Sequence, residues 1–170
     1  MDIHQSVAYI EDNGTELEIA RIRYLLYGQK PDAEVVQPLL KLQNGDGGFP
    51  FDRVQGNLST VDATLYALWW MDELGLLTSP PADRALDYLL AAQREDGGWD
   101  EDASAAQYDL PPWIQPGDLP TRLYLSAYAA YWIGVRYGSM HPAFRKALEF
   151  LRGHQKDTGY FRGYLHTTWI

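Results

Sequence analysis

The chain has 170 residues, 46% of them hydrophobic, a net charge of −9 at pH 7 and no cysteine, which supports one core and a single domain over residues 1–170. The charge excludes a basic stripe for a nucleic-acid backbone, and the missing cysteines exclude disulfides, thiol nucleophiles and Cys-containing zinc sites. No apolar run approaches the roughly 20 residues that span a bilayer, and MDIHQSV lacks a signal peptide's basic start and apolar centre, so the expected location is the cytoplasm.

In chain order, SVAYIED and ELEIARIRYLLYG predict a first pair of helices, with Thr15 as the N-cap of the second and Gly28 as its stop. In AEVVQPLLKLQ, Val35, Val36, Leu39, Leu40 and Leu42 share one helical face, and Pro38 predicts a kink or a start one turn later. STVDATLYALWWMDELG is then apolar nearly all round. PADRALDYLLAAQ is one-sided again, through Ala82, Ala85, Leu86, Leu89 and Leu90, with Ser79 as N-cap and proline in the first turn.

The next segment, DEDASAAQYDLPPWIQPGDLP, is long for a loop in a compact domain and is expected to act as a lid. Its acids Asp100, Glu101, Asp102, Asp109 and Asp118 read as a solvated charge run, with Mg²⁺ for a diphosphate substrate as the other reading. LPTRLYLSAYAAYWIGV is the second helix apolar nearly all round. HPAFRKALEFLRGHQ opens on Pro142, with His141 as cap and a stripe of Phe144, Ala147, Leu148 and Leu151. YLHTTWI opens like a third apolar helix and stops at Ile170, so the chain is expected to be an N-terminal piece of a longer protein. A helix apolar on every side is buried on every side, so amphipathic outer helices alternate with apolar inner ones.

The same words recur between them: QNGDGGF at residues 43–49, QREDGGW at 93–99 and a worn QKDTGYF at 155–161. Such recurrence marks an array of helical hairpins. The segments resemble the QW repeat of the terpene-cyclase and protein-prenyltransferase superfamily (prenyltransferase and squalene-oxidase repeat). The match rests on Gln43, Asp46, Gly47, Gly48 and Phe49, and on Gln93, Asp96, Gly97, Gly98 and Trp99; the third copy keeps Gln155, Gly159 and Phe161. The resemblance implies an all-α fold, an α/α toroid left as an incomplete barrel. It also implies that each aromatic stacks on its glutamine amide while the amide bonds the end of a neighbouring outer helix. The glycines would accept positive φ and turn the aromatic back.

The stretch VDATLYAL resembles the acid motifs of triterpene cyclases, Val-Asp-Cys-Thr-Ala-Glu and Asp-x-Asp-Asp-Thr-Ala. Aligned on Thr64, Asp62 takes the place of the aspartate that protonates the substrate, although Thr60 and Ala63 replace flanking acids and Tyr66 stands at the glutamate. The chemistry would be a carboxylic acid held protonated in an apolar cavity. The structural alternative is a capping box between Ser59 and Asp62. Tyr66, Trp70, Tyr124, Tyr128 and Trp132 are the candidate substrate-binding residues, as π faces for a carbocation; their helical spacing equally suits a core. No cofactor and no metal ligand set is expected. One function is an isoprenoid-binding or isoprenoid-cyclising domain, inactive as this piece alone; the other is a noncatalytic scaffold for a polysaccharide, peptide or protein. The open inner faces, with Tyr128, Trp132 and Trp169, predict self-association.

Overall fold

The computed structural model describes the backbone of residues 2–169 and the side chains of residues 2–168. Its first elements follow local chemistry. Helix α1 (Ile3–Asn13) starts at Asp2, whose carboxylate accepts the His4 N–H. Helix α2 (Glu16–Tyr27) opens on a reciprocal capping box of Thr15 and Glu18 and closes at Gly28 in the left-handed region. Neither helix has a buried residue.

Helix α3 (Ala33–Leu40) runs through Pro38, neither starting late nor breaking there. Only two residues follow the proline before the helix ends. The apolar helices are α4 (Val61–Asp72) and α6 (Leu119–Tyr137), each followed by an amphipathic partner, α5 (Pro80–Ala92) and α7 (Pro142–His154). A short α8 (His166–Trp169) lies against α6. Helices α4 and α6 also pack on each other, and each packs on its outer partner. The fold is therefore all-α, with the inner and outer layers of an open α/α toroid.

Burial follows the sequence pattern most closely in α5, where Ala82, Ala85, Leu86 and Leu89 are buried. In α7 the buried set is Ala143, Ala147, Phe150 and Leu151, so the face is rotated from the expected stripe and Phe144 and Leu148 are half-buried. On the rotated face the Phe150 ring packs against Gly98, and the Arg122 guanidinium lies over it at 4.9 Å. Ser79 and His141 occupy the N-cap positions of α5 and α7, but neither side chain caps a backbone N–H.

The recurring turns have one geometry. Gln43 Nε2 donates to the Gly47 carbonyl of its own turn and, at 2.8 Å, to the Pro81 carbonyl in the first turn of α5. Gln93 Nε2 does the same with Gly97 and, at 2.9 Å, with Ala143 in the first turn of α7. Each amide thus ties the end of one outer helix to the start of the next. Gly47 and Gly97 both have φ of 90°, and a Cβ on either would collide with the backbone carbonyl of Arg84 or Lys146. In the third turn Gln155, among the described residues, bonds only Gly159, and a Cβ on Gly159 would meet none of them within 4 Å.

The aromatics close the same pattern. Phe49 N–H donates to Thr64 Oγ1 in α4 at 2.9 Å, and Trp99 N–H donates to Ser126 Oγ in α6 at 2.8 Å. Thr64 and Ser126 are therefore equivalent positions of the two hairpins. The same offset pairs Asp62 with Tyr124, Tyr66 with Tyr128 and Trp70 with Trp132.

Candidate functional site

Asp62 lies in the first turn of α4, and the way that turn is capped decides its environment. The cap is Thr60, whose hydroxyl accepts the Ala63 N–H at 3.2 Å. The expected box of Ser59 and Asp62 does not form. Ser59 is held in a short antiparallel pairing of Phe49–Pro50 with Ser59–Thr60, and its hydroxyl donates to Asp46 at 2.8 Å. The first two N–H groups of α4 go elsewhere: Val61 donates to one oxygen of Glu101 and Asp62 to the other, each at 2.8 Å.

That contact corrects the reading of the acidic run. Glu101 is 1% exposed and Asp100 is 8% exposed, so neither belongs to a solvated charge run. Asp100 accepts the Gly117 N–H at 2.9 Å and pairs with Arg94 at 3.2 Å. Asp102 and Asp118 cap the residues that follow them, accepting from Ser104 and Thr121. Asp109 is exposed and lines the cleft described below. Among the described residues no three acids or histidines could hold a metal ion together.

The Asp62 side chain is half-buried, and among the described residues it is in no ion pair. The Tyr124 hydroxyl lies beside it from α6, near enough for each group to act on the other's ionisation. Burial pushes the Asp62 carboxyl up to about 6, and the Tyr124 hydroxyl offsets part of that rise. Burial also pushes Glu101 up, against its two backbone hydrogen bonds, and the neighbouring Asp62 and Asp100 charges add to the rise. Tyr124 is raised by burial first and by the Asp62 charge second, as is Tyr128.

The space in front of Asp62 is a cleft of about 650 Å³. Ala63 and Tyr66 continue its floor along α4, while Tyr108, Trp113 and Ile114 of the long segment form the facing wall. This segment is anchored by two bonds: the Tyr108 ring stacks on Phe51 with centroids 4.8 Å apart, and its hydroxyl accepts the Leu58 N–H. A second, more apolar pocket of about 220 Å³ adjoins the cleft through Arg53, Ala63 and Tyr66, and runs to Trp70 and Leu39.

Four of the candidate residues thus gather around one region. Asp62 and Tyr66 line the cleft, Trp70 lines the adjoining pocket, and Tyr124 reaches Asp62. Tyr128 stacks edge-on with Tyr124 at 5.1 Å, one step further back. Trp132 is not brought to the cleft; at 3% exposure it belongs to the core, edge-on to Tyr131 at 4.8 Å. Being buried, it also offers no surface for self-association, and the Trp169 side chain lies outside the described residues. Sequence reasoning missed Glu101 as a site residue, and the signal for it was its place two residues after the Trp99 of a recurring turn.

Two solved structures share the fold. A protein from Actinoplanes superposes with a TM-score of 0.54 at 18% identity, covering 88% of this chain and 46% of its own. A variant of the type II terpene cyclase MstE from Scytonema, in complex with the product merosterolic acid A, superposes with a TM-score of 0.53 at 21% identity, covering 88% of this chain and 45% of its own. This chain therefore spans about half the length of either. At such identity the likeness establishes a terpene-cyclase-like fold. No protein-family model matches the chain, and neither does any curated protein sequence. Among the described residues no helix is long and apolar enough to cross a membrane.

Proposed function

We propose that this chain is the acid-bearing part of a terpene-cyclase-like enzyme, in which Asp62 protonates an isoprenoid alkene or epoxide bound in the cleft. The observation that carries this reading is a half-buried carboxyl outside any ion pair among the described residues, on the wall of an aromatic-lined cleft that Arg53 also lines, with the Tyr124 hydroxyl beside it. A carboxyl that keeps its proton to about 6 has more of its acid form present near neutral pH than an exposed aspartate.

The reaction would be an isomerisation. The Asp62 proton adds to a terminal C=C or opens an epoxide, the adjacent alkene closes on the cation, and loss of a proton from the last cation restores the alkene. Tyr66 and Trp70 each carry a guanidinium over one face, Arg53 at 5.7 Å and Arg21 at 3.8 Å, so it is their other faces that would stabilise positive charge along the apolar pocket. No cofactor or metal takes part in this scheme. Because the chain spans half of its structural neighbours, turnover is expected of a longer protein and binding of this chain. Self-association through the apolar groove between α6 and α7, lined by Tyr131, Val135, Phe144 and Leu148, belongs to the same proposal, and sedimentation velocity at micromolar concentration tests it.

The test of the activity is product analysis with 2,3-oxidosqualene and with geranylgeranyl diphosphate as probes, looking for cyclised products of unchanged mass. Asp62→Asn is expected to abolish turnover while the far-UV spectrum stays unchanged. Full turnover by the folded variant would remove Asp62 from the mechanism. Tryptophan-fluorescence titration of this chain with the same probes reports binding alone, and its absence would favour a scaffold for another kind of partner.

A further inference from the structure

The proton-donor reading leaves one buried acid unused. Glu101 comes from the long segment, sits beneath the first turn of α4 at 1% exposure, and accepts one N–H on each oxygen, from Val61 and from Asp62. No ion pair to its carboxylate occurs among the described residues; the nearby Arg94 guanidinium reaches only its backbone carbonyl, at 3.4 Å, and pairs with Asp100. The other groups that feel it are Asp62 on α4, Tyr124 on α6, Tyr88 on α5 and Asp100 beside it. None of them is a cation. A buried acid without a cationic partner is ordinarily neutral, yet both oxygens here are occupied by donors.

Two carboxyls whose charges act on each other, with no ion pair to either among the described residues, do not ionise together at low cost, so the pair holds one proton near neutrality. Its location follows from the donors. A carboxylate accepts two N–H groups without conflict, whereas a carboxylic acid has its own hydrogen to place. The unsatisfied N–H groups and dipole of the α4 terminus favour negative charge at Glu101 as well. Asp62 has the Tyr124 hydroxyl beside it, which can accept from an acid as readily as it donates to a carboxylate; Tyr128 stands behind, and Asp52, Arg53 and Asp109 share its cleft without pairing with it. The deeper burial of Glu101 works the other way, but charge-assisted hydrogen bonds to two backbone donors are among the strongest terms available to a carboxylate.

We propose that Glu101 is the positioning residue for Asp62: as the ionised cap of α4 it fixes the turn from which Asp62 projects, and as a negative neighbour it keeps the proton on Asp62. This inference rests on the reading of Asp62 as the acid only for its consequence in catalysis. The proton arrangement itself is a property of the resting chain and is measurable without turnover.

The experiment is a ¹³C NMR titration of the full chain with carboxyl-labelled aspartate and glutamate, assigned with Asp62→Asn and Glu101→Gln. In the unsubstituted chain Glu101 is expected to ionise at the lower pH and Asp62 at the higher. In Glu101→Gln the Asp62 midpoint is expected to fall by about one pH unit, as for the removal of a like charge, and the Val61 and Asp62 amides should exchange faster. Two results overturn the proposal: an Asp62 midpoint that stays where it was in a folded Glu101→Gln chain, or Asp62 ionising before Glu101 in the unsubstituted chain. The second result decides even where Glu101→Gln does not fold. Should the titration come out as expected while Asp62→Asn keeps full turnover in a longer protein, only the catalytic reading fails.

Discussion

The two hairpins α4–α5 and α6–α7 are built on one plan and differ at the inner helix start. Helix α6 begins at Leu119, a turn ahead of the position equivalent to the start of α4, and its own Asp118 caps it. Helix α4 lacks that extra turn, and its exposed N–H groups are taken by Glu101, which belongs to the other hairpin's turn. The shorter helix leaves a gap at its N-terminal end, the longer helix brings Tyr124 to the edge of it, and Asp62 fills it. The repeat thus supplies a rigid frame, and a broken equivalence sets a carboxyl, Asp62, in the first hairpin where the second has a phenol, Tyr124.

The comparison is strained hardest at the aromatic residues of the two turns. Trp99 is fully buried, and its indole N–H donates to the Leu89 carbonyl at 2.7 Å in addition to the backbone bond that Phe49 shares. Trp99→Ala is expected to cost about 4 kcal/mol and Phe49→Ala about 3 kcal/mol, as for large aromatics removed from a core. Urea unfolding of both variants checks the order. A Trp99 variant that melts with the unsubstituted chain would mean that the second turn does not hold its hairpins together.

The broken equivalence predicts a pH effect. Asp62, raised to about 6, and Glu101, also raised, both bind a proton more tightly folded than unfolded. The pair's contribution is fully present below the unfolded carboxylate range and is lost as pH rises through about 6 and above. The chain is therefore expected to lose on the order of 2 kcal/mol between pH 5 and pH 8, and Asp62→Asn to lose clearly less over that interval. Asp96 and Asp102, lowered by the Arg122 and Ser104 hydrogen bonds respectively, act on the acid side, where their contribution is lost on acidification. Urea midpoints at the two pH values decide; parallel loss in both proteins would show that Asp62 is not a tuned acid.

The backbone bonds that define the register can be tested in matched pairs. Ser126→Ala strands the buried Trp99 N–H, and Thr64→Val strands the Phe49 N–H. Each is expected to cost about 2 kcal/mol, the penalty of a buried donor left without an acceptor. Similar losses in denaturant melts support the equivalence of the two positions. A neutral Ser126→Ala would break it.

How far the sequence discloses this molecule depends on the range of the interaction involved. The caps at Thr15 and Gly28, the stripe of α5 and the Gln-to-aromatic turns are local, and they were legible residue by residue. Ser59 and Thr60 are both good N-caps, but the Ser59 hydroxyl is taken by Asn44 and Asp46 of the preceding turn, which no helical signal encodes. Glu101 is harder still. It sits inside DED, where charge alone argues for solvent, and its partners lie 40 and 39 residues earlier in the chain. Trp132 and Trp70 have equivalent places, yet one is core and the other lines a pocket, because periodicity gives a face and not what covers it.

The smallest expected effect separates the third turn from the first two. Gln93 Nε2 serves its own turn and the start of α7, while Gln155 Nε2 serves only Gly159 and is exposed. Gln93→Ala removes one bond within a turn and one between helices, and leaves the Ala143 carbonyl without its side-chain donor, so about 1.5 kcal/mol should be lost. Gln155→Ala removes a single solvent-accessible bond, and about 0.5 kcal/mol or less should follow. Chemical denaturation of the two variants side by side measures the difference. If instead Gln155→Ala costs as much as Gln93→Ala in this chain, the third turn is clamped in solution by something other than its own backbone, and the sedimentation profile of the same sample should then show an associated species that the substitution dissociates.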